Sequence, residues 1–184
     1  MKKVLLLLFC LISISTLCRG QQYVRSRTLN FEVGAGLLYS FDKMISERVH
    51  PGASGYAEVR YNLKAMPLSI GLNGSVQIFS RSSGRETLNY FSNNIMIVSD
   101  YGFFHKRDVK LFAGFGFGVA SFDKDASLER GDEIGCYYSS YEGSYICYMP
   151  RVTLQLFNHL RISTGYIFED AANRNLYLRV GYSF

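Results

Sequence analysis

From Arg174 to Phe184 the chain reads R-N-L-Y-L-R-V-G-Y-S-F, and its two parities are chemically opposite. Leu176, Leu178, Val180, Tyr182 and Phe184 form one. Tyr177, Arg179, Gly181 and Ser183 form the other. Side chains alternate across a strand, so this segment offers one wholly apolar face and one carrying a charge, a hydroxyl and a glycine. An apolar face that ends in aromatic-x-aromatic suits a strand in lipid, with its last ring at headgroup level.

Seven earlier segments repeat the pattern. Leu29, Phe31, Val33, Ala35, Leu37, Tyr39 and Phe41 oppose Asn30, Glu32, Gly34, Gly36 and Ser40. Ala57, Val59, Tyr61 and Leu63 oppose Tyr56, Glu58, Arg60, Asn62 and Lys64. The third segment sets Leu68, Ile70, Leu72, Val76 and Ile78 against serines, glycine, Asn73 and Gln77. The fourth, Leu88 to Phe103, is interrupted at Asn93-Asn94. It predicts a bulge before Ile95, with Ile95, Ile97, Tyr101 and Phe103 outward and Asp100 inward. The fifth alternates Leu111, Ala113, Phe115, Phe117 and Val119 with Phe112, Gly114, Gly116, Gly118 and Ala120. The sixth begins at Arg151. The seventh runs from Leu160 to Phe168, after a tight turn at Asn158-His159.

The N-terminus reads differently. Met1-Lys2-Lys3 followed by Val4–Ile12 is a positive region and an apolar core too short to span a bilayer, as in a secretory signal. Residues 1–20 are expected to be the signal peptide and 21–184 the mature domain. Lys2, Lys3 and Arg19 would leave with it, reducing 20 basic residues to 17 against 15 acidic ones. That near-balance carries no nucleic-acid footprint. No later stretch offers the roughly 20 apolar residues of a spanning helix, so any membrane span is made of strands.

The predicted fold is all-β: an eight-stranded antiparallel transmembrane up-and-down barrel of roughly ten-residue strands. Short turns follow the even segments and longer loops the odd ones. Aromatics mark both ends of the apolar faces, with Phe31, Tyr61, Tyr101, Phe103, Tyr182 and Phe184 at one rim and Tyr39, Phe41, Tyr166 and Phe168 at the other. In these features the chain resembles the small outer-membrane barrels of the OmpA/OmpX type, and the Bacteroidetes-like group of such barrel domains. The resemblance implies a bacterial outer-membrane location, with membrane lipid and the barrel-assembly machinery as partners. It also implies that Val180, Tyr182 and Phe184 form a C-terminal insertion signal.

At eight strands a barrel interior is just wide enough to be filled by side chains. The inward candidates Glu32, Glu58, Arg60, Lys64, Asp100, Arg151, Arg161 and Arg179 therefore read as an ionic plug. Glu58 and Asp100 are each expected to touch an arginine, because an unpaired buried charge is costly. A narrow passive channel is the alternative. A soluble lipocalin-like barrel holding an apolar ligand is a second one, and it requires the faces to be reversed.

No catalytic, cofactor or metal set emerges. Gly114-Phe115-Gly116-Phe117-Gly118 lacks the third glycine of a nucleotide loop and no helix follows it. The acids Asp123, Asp125, Glu129, Asp132 and Glu133 lack the spacing of a calcium loop. His50, His105 and His159 share no zinc spacing. His159 and Ser163 suggest a lipid-modifying barrel, but His159 falls at the wrong end. The segment from about Asp123 to Met149 reads as a long surface loop. Its Tyr137, Tyr138, Tyr141 and Tyr145 lie between Cys136 and Cys147, an even pair expected to form a disulfide in an oxidising compartment. Tyrosines with serine and glycine suit an adaptable binding surface. The functional expectation is a structural or surface-binding barrel that is not an enzyme, meeting its ligand through residues 123–149.

Overall fold

The computed structural model describes residues 28–40, 51–64, 66–83, 86–129, 136–169 and 174–184. The expected signal peptide, Phe41 and the first outer loop lie outside the described residues. Eight strands follow one another: β1 (Leu29–Ser40), β2 (Gly52–Asn62), β3 (Leu68–Ser83), β4 (Glu86–Lys106), β5 (Val109–Glu129), β6 (Cys136–Leu156), β7 (Leu160–Phe168) and β8 (Arg174–Ser183). Each pairs antiparallel with the next, and β1 pairs with β8, so the sheet closes into a barrel. Closure satisfies the backbone where lipid offers no partner.

Alternation decides which side of the wall each residue takes. Phe31, Val59, Leu72, Ile95, Ile97, Phe115, Phe117, Val152, Leu178 and Val180 stand on the outer face, with Ile95 72% exposed. The inner face buries Glu32, Glu58, Arg60, Asn73, Asp100, Arg151, Arg161 and Arg179. A continuous apolar outer band far exceeds what a water-soluble surface tolerates and matches a lipid-facing one. A lipocalin-like barrel is thereby overturned, since its interior is apolar and its exterior polar. Lys64 departs from the inward set. β2 ends at Asn62, and Lys64 is exposed in the following turn.

The turns after β2, β4 and β6 lie at one end. Arg107 and Asp108 alone separate β4 from β5, with Arg107 at φ 42°. In the β6–β7 turn Phe157 and Asn158 take φ of 51° and 62°, and the His159 amide donates to the Leu156 carbonyl at 3.1 Å. Two positive φ values in succession are what a tight hairpin with right-handed strand twist requires. The β8 terminus is held here on both sides. The Ser183 amide donates to the His159 carbonyl at 2.7 Å, and the Phe184 amide to that of Phe31 at 2.8 Å.

Two expectations about β4–β6 are corrected. The ladder passes Asn93-Asn94 without interruption, because both asparagines keep the alternation, and the irregularity falls between Gly102 and Phe104. The segment 123–149 is largely two strands. β5 and β6 stay in register as far as Glu129 opposite Cys136. β6 meets β7 only as far as Tyr148 opposite Phe168, and β2 meets β3 only as far as Ala53 opposite Ile78. Beyond that level β3, β4, β5 and β6 continue alone as a ribbon. From Tyr148 back to Cys136 the path is roughly 40 Å at about 3.3 Å per residue.

Candidate functional site: barrel interior and outer ribbon

The lower interior is an ionic layer drawn from five strands. Arg151 of β6 is its centre. Its Nε and Nη2 donate to the Asp100 carboxylate at 2.9 and 2.8 Å, and its Nη1 and Nη2 to Glu58 at 2.6 and 2.8 Å. Arg60 donates to Glu32 at 2.5 Å and lies 3.4 Å from Glu58. Arg161 donates to Asp100 at 3.2 Å; its Nε is 3.0 Å from Glu32 but out of line for a hydrogen bond, and its guanidinium covers the Phe112 ring. Asn73 and the Tyr56 hydroxyl complete the shells of Glu58 and Glu32. Three carboxylates thus meet three guanidiniums, and the layer is neutral. Gly114 makes it possible, since a Cβ there would collide with the Asp100 carboxylate and press on the Arg151 stem at 3.1 Å.

Arg179 stands apart. Its stem fills the space left by Gly36, where a Cβ would lie 2.7 Å from its Cγ. Its guanidinium carbon sits 4.5 Å from the Tyr177 ring centroid and 5.2 Å from that of Tyr56.

Apolar side chains form a further part of the interior. Leu38, Met96, Val98, Ala120, Cys147, Met149, Ile167 and Tyr177 are buried in one cluster, against which Tyr145 packs. Nearer the ribbon, Glu169 is fully buried just past the end of β7. It accepts hydrogen bonds from Gln77 at 2.6 Å, Asn94 at 2.9 Å, Ser92 at 3.0 Å and the Tyr90 hydroxyl. Sequence reasoning placed Glu169 in a loop and missed this role. The available signals were its inward parity with Arg161 and Ser163 and the inward polar residues Gln77, Ser92 and Asn94, which can donate to it.

The expected disulfide is not formed. Cys136 and Cys147 lie on the same strand, roughly 36 Å apart at about 3.3 Å per residue, whereas a disulfide needs Cα atoms within about 7 Å. Cys147 is a free, buried thiol. Tyr137, Tyr138 and Tyr141 lie on β6 opposite Leu128, Ser127 and Lys124; Tyr145 belongs to the interior and not to a surface tip. Val180, Tyr182 and Phe184 stand outward, the last two edge to face at 5.0 Å. His159 stacks on Tyr182, and its Nδ1 lies 2.9 Å from the Ser183 carbonyl, at the short-turn end. Among the described residues no group of His, Cys, Asp and Glu could hold a metal ion.

No family model and no curated protein matches the sequence. Solved structures do. Ail, the attachment invasion locus protein of Yersinia pestis, matches with a TM-score of 0.58 at 13% identity, over 85% of this chain and 97% of its own. The fold is that of a small outer-membrane β-barrel. Neisserial surface protein A matches at 0.53 and 13% identity, over 85% of this chain and 96% of its own. A major outer membrane protein from Thermus thermophilus matches at 0.54 and 11% identity, over 86% and 100%. Ail has also been solved in complex with the heparin analogue sucrose octasulfate. At these identities the likeness is one of fold, and it does not establish the narrower Bacteroidetes-like grouping. Together with the apolar outer band, this fold assigns the chain to the bacterial outer membrane.

Proposed function

We propose that this protein is a non-catalytic surface-binding barrel, in which the filled barrel is the anchor and the β3–β6 ribbon is the working part. The observation that carries the reading is the length of β5 and β6, which run to Glu129 and Cys136 while β7 ends at Phe168. Strand that neither crosses the bilayer nor closes the barrel does nothing for the anchor. The filled interior supports the same reading against a channel, because ionic and apolar side chains occupy it in turn. In this proposal residues 1–20 are removed on export. Val180, Tyr182 and Phe184 are read by the barrel-assembly machinery, and lipid covers the outer face.

Cells displaying the full chain are compared with cells displaying a form whose β5–β6 hairpin is closed at the Lys124–Tyr141 pair. Immobilised heparin and extracellular-matrix protein are the probes, the first chosen because Ail has been crystallised with a heparin analogue. Retention by either surface that is lost in the shortened form supports the proposal. Equal retention of both forms, or of neither, overturns it.

A further inference from the structure

Arg179 is 1% exposed, deep in the barrel wall between β1 and β7. The three other buried arginines each meet carboxylates within 4.0 Å; among the described residues Arg179 meets none. Its Nε donates to the Ser54 hydroxyl at 3.3 Å. Its two faces are taken by the Tyr56 and Tyr177 rings, and its Nη2 has no hydrogen-bond partner. The neighbouring layer cannot supply a counter-charge, because its three acids are already matched by three arginines. The Tyr177 hydroxyl and the Ser75 hydroxyl, which lies one strand over from Tyr56, are also buried without partners.

Ring faces compensate a desolvated guanidinium only in part. A buried ion that keeps its charge needs a counter-charge to offset its lost hydration. Water could satisfy the free N–H but not the charge. We propose that Arg179 holds a small inorganic anion, of halide size, inside the barrel. Nη2 would donate to it directly, and the Ser54 hydroxyl, which accepts from Nε, still has its own proton to give. A larger oxyanion needs more donors than this position offers, and the glycines at 34, 36 and 181 are already filled by Tyr56 and Arg179 side chains.

The test refolds the mature full-length chain into detergent in bromide, removes free salt, and counts bromide per barrel by elemental analysis. Anomalous scattering from crystals of the same material then locates it. About one retained bromide per barrel, with its peak within hydrogen-bond distance of Arg179 Nη2, is expected. Arg179→Gln should lose it. Should that variant fail to fold, Ser54→Ala, which keeps the charge, should lower retention several-fold. Chloride should also raise the heat-modifiability midpoint of the wild type at fixed ionic strength relative to gluconate, which is too large to enter. No retained bromide, or a peak elsewhere together with identical midpoints in the two salts, overturns the proposal.

Discussion

At Arg151 one guanidinium makes four hydrogen bonds to two carboxylates that belong to different strands. Removing it leaves Glu58 and Asp100 buried with reduced compensation. Arg151→Ala is therefore expected to cost about 3–5 kcal/mol, read as a lower urea midpoint for the folded, heat-modifiable band. Adding Glu58→Gln in an Arg151→Met background should recover part of that loss, since Glu32 and Asp100 then face Arg60 and Arg161 and the layer is neutral again. Glu169 makes a complementary case. Glu169→Ala takes the acceptor from Gln77 and Asn94, at about 1–3 kcal/mol for each that water does not reach, while Ser92 keeps the Asn94 Oδ1 at 2.9 Å. Glu169→Gln keeps one carbonyl acceptor and should cost clearly less in the same assay. The inward arginines were legible in the sequence because parity alone assigns a side once the opposite face is apolar. Glu169 was not. It keeps the inward parity of Arg161, Ser163 and Ile167 but lies past the end of β7, and only the closed wall brings it against β3 and β4.

Among the strands, β5 and β6 set the chain apart. Their inner parts are marked by Phe115, Phe117 and Val152 facing lipid, which is why the crossing segments could be found by pattern. Past the membrane no lipid selects one parity, so a polar strand and a polar loop read alike, and residues 123–149 read as a loop. The loop that this reading placed between Cys136 and Cys147 left them free to meet, whereas a straight strand forbids the disulfide. Protein prepared without residues 1–20 should therefore migrate identically with and without reductant. Mass analysis should find two free thiols, with Cys147 shielded from a water-soluble maleimide until the barrel is boiled. Closing the hairpin at Lys124–Tyr141 removes no barrel contact below Tyr145, so the shortened form should keep its heat-dependent gel shift within a few degrees of the wild type.

For the whole molecule, a barrel whose interior passes from ion pairs through Met96, Met149 and Ile167 to the donors around Glu169 has no continuous wet path. Reconstituted in planar bilayers, the wild type is expected to give no regular single-channel steps. A stable conductance that vanishes with the protein would refute the filled-interior account.

The distribution of buried charge along the chain carries one more consequence. Among the described residues, the first four strands bury Glu32, Glu58 and Asp100 against Arg60; the second four bury Lys110, Arg151, Arg161 and Arg179, with Glu169 just past β7. Each half of the polypeptide is thus electrically incomplete, the first short of cations and the second short of acids. Neither could enter lipid by itself without carrying uncompensated ions. A chain cut before β6 lacks the Arg151 and Arg161 partners of Glu58, Asp100 and Glu32, and is expected to stay outside the bilayer, exposed to proteases. The charges that fill the finished barrel thereby act as a test of completeness on the unfinished one.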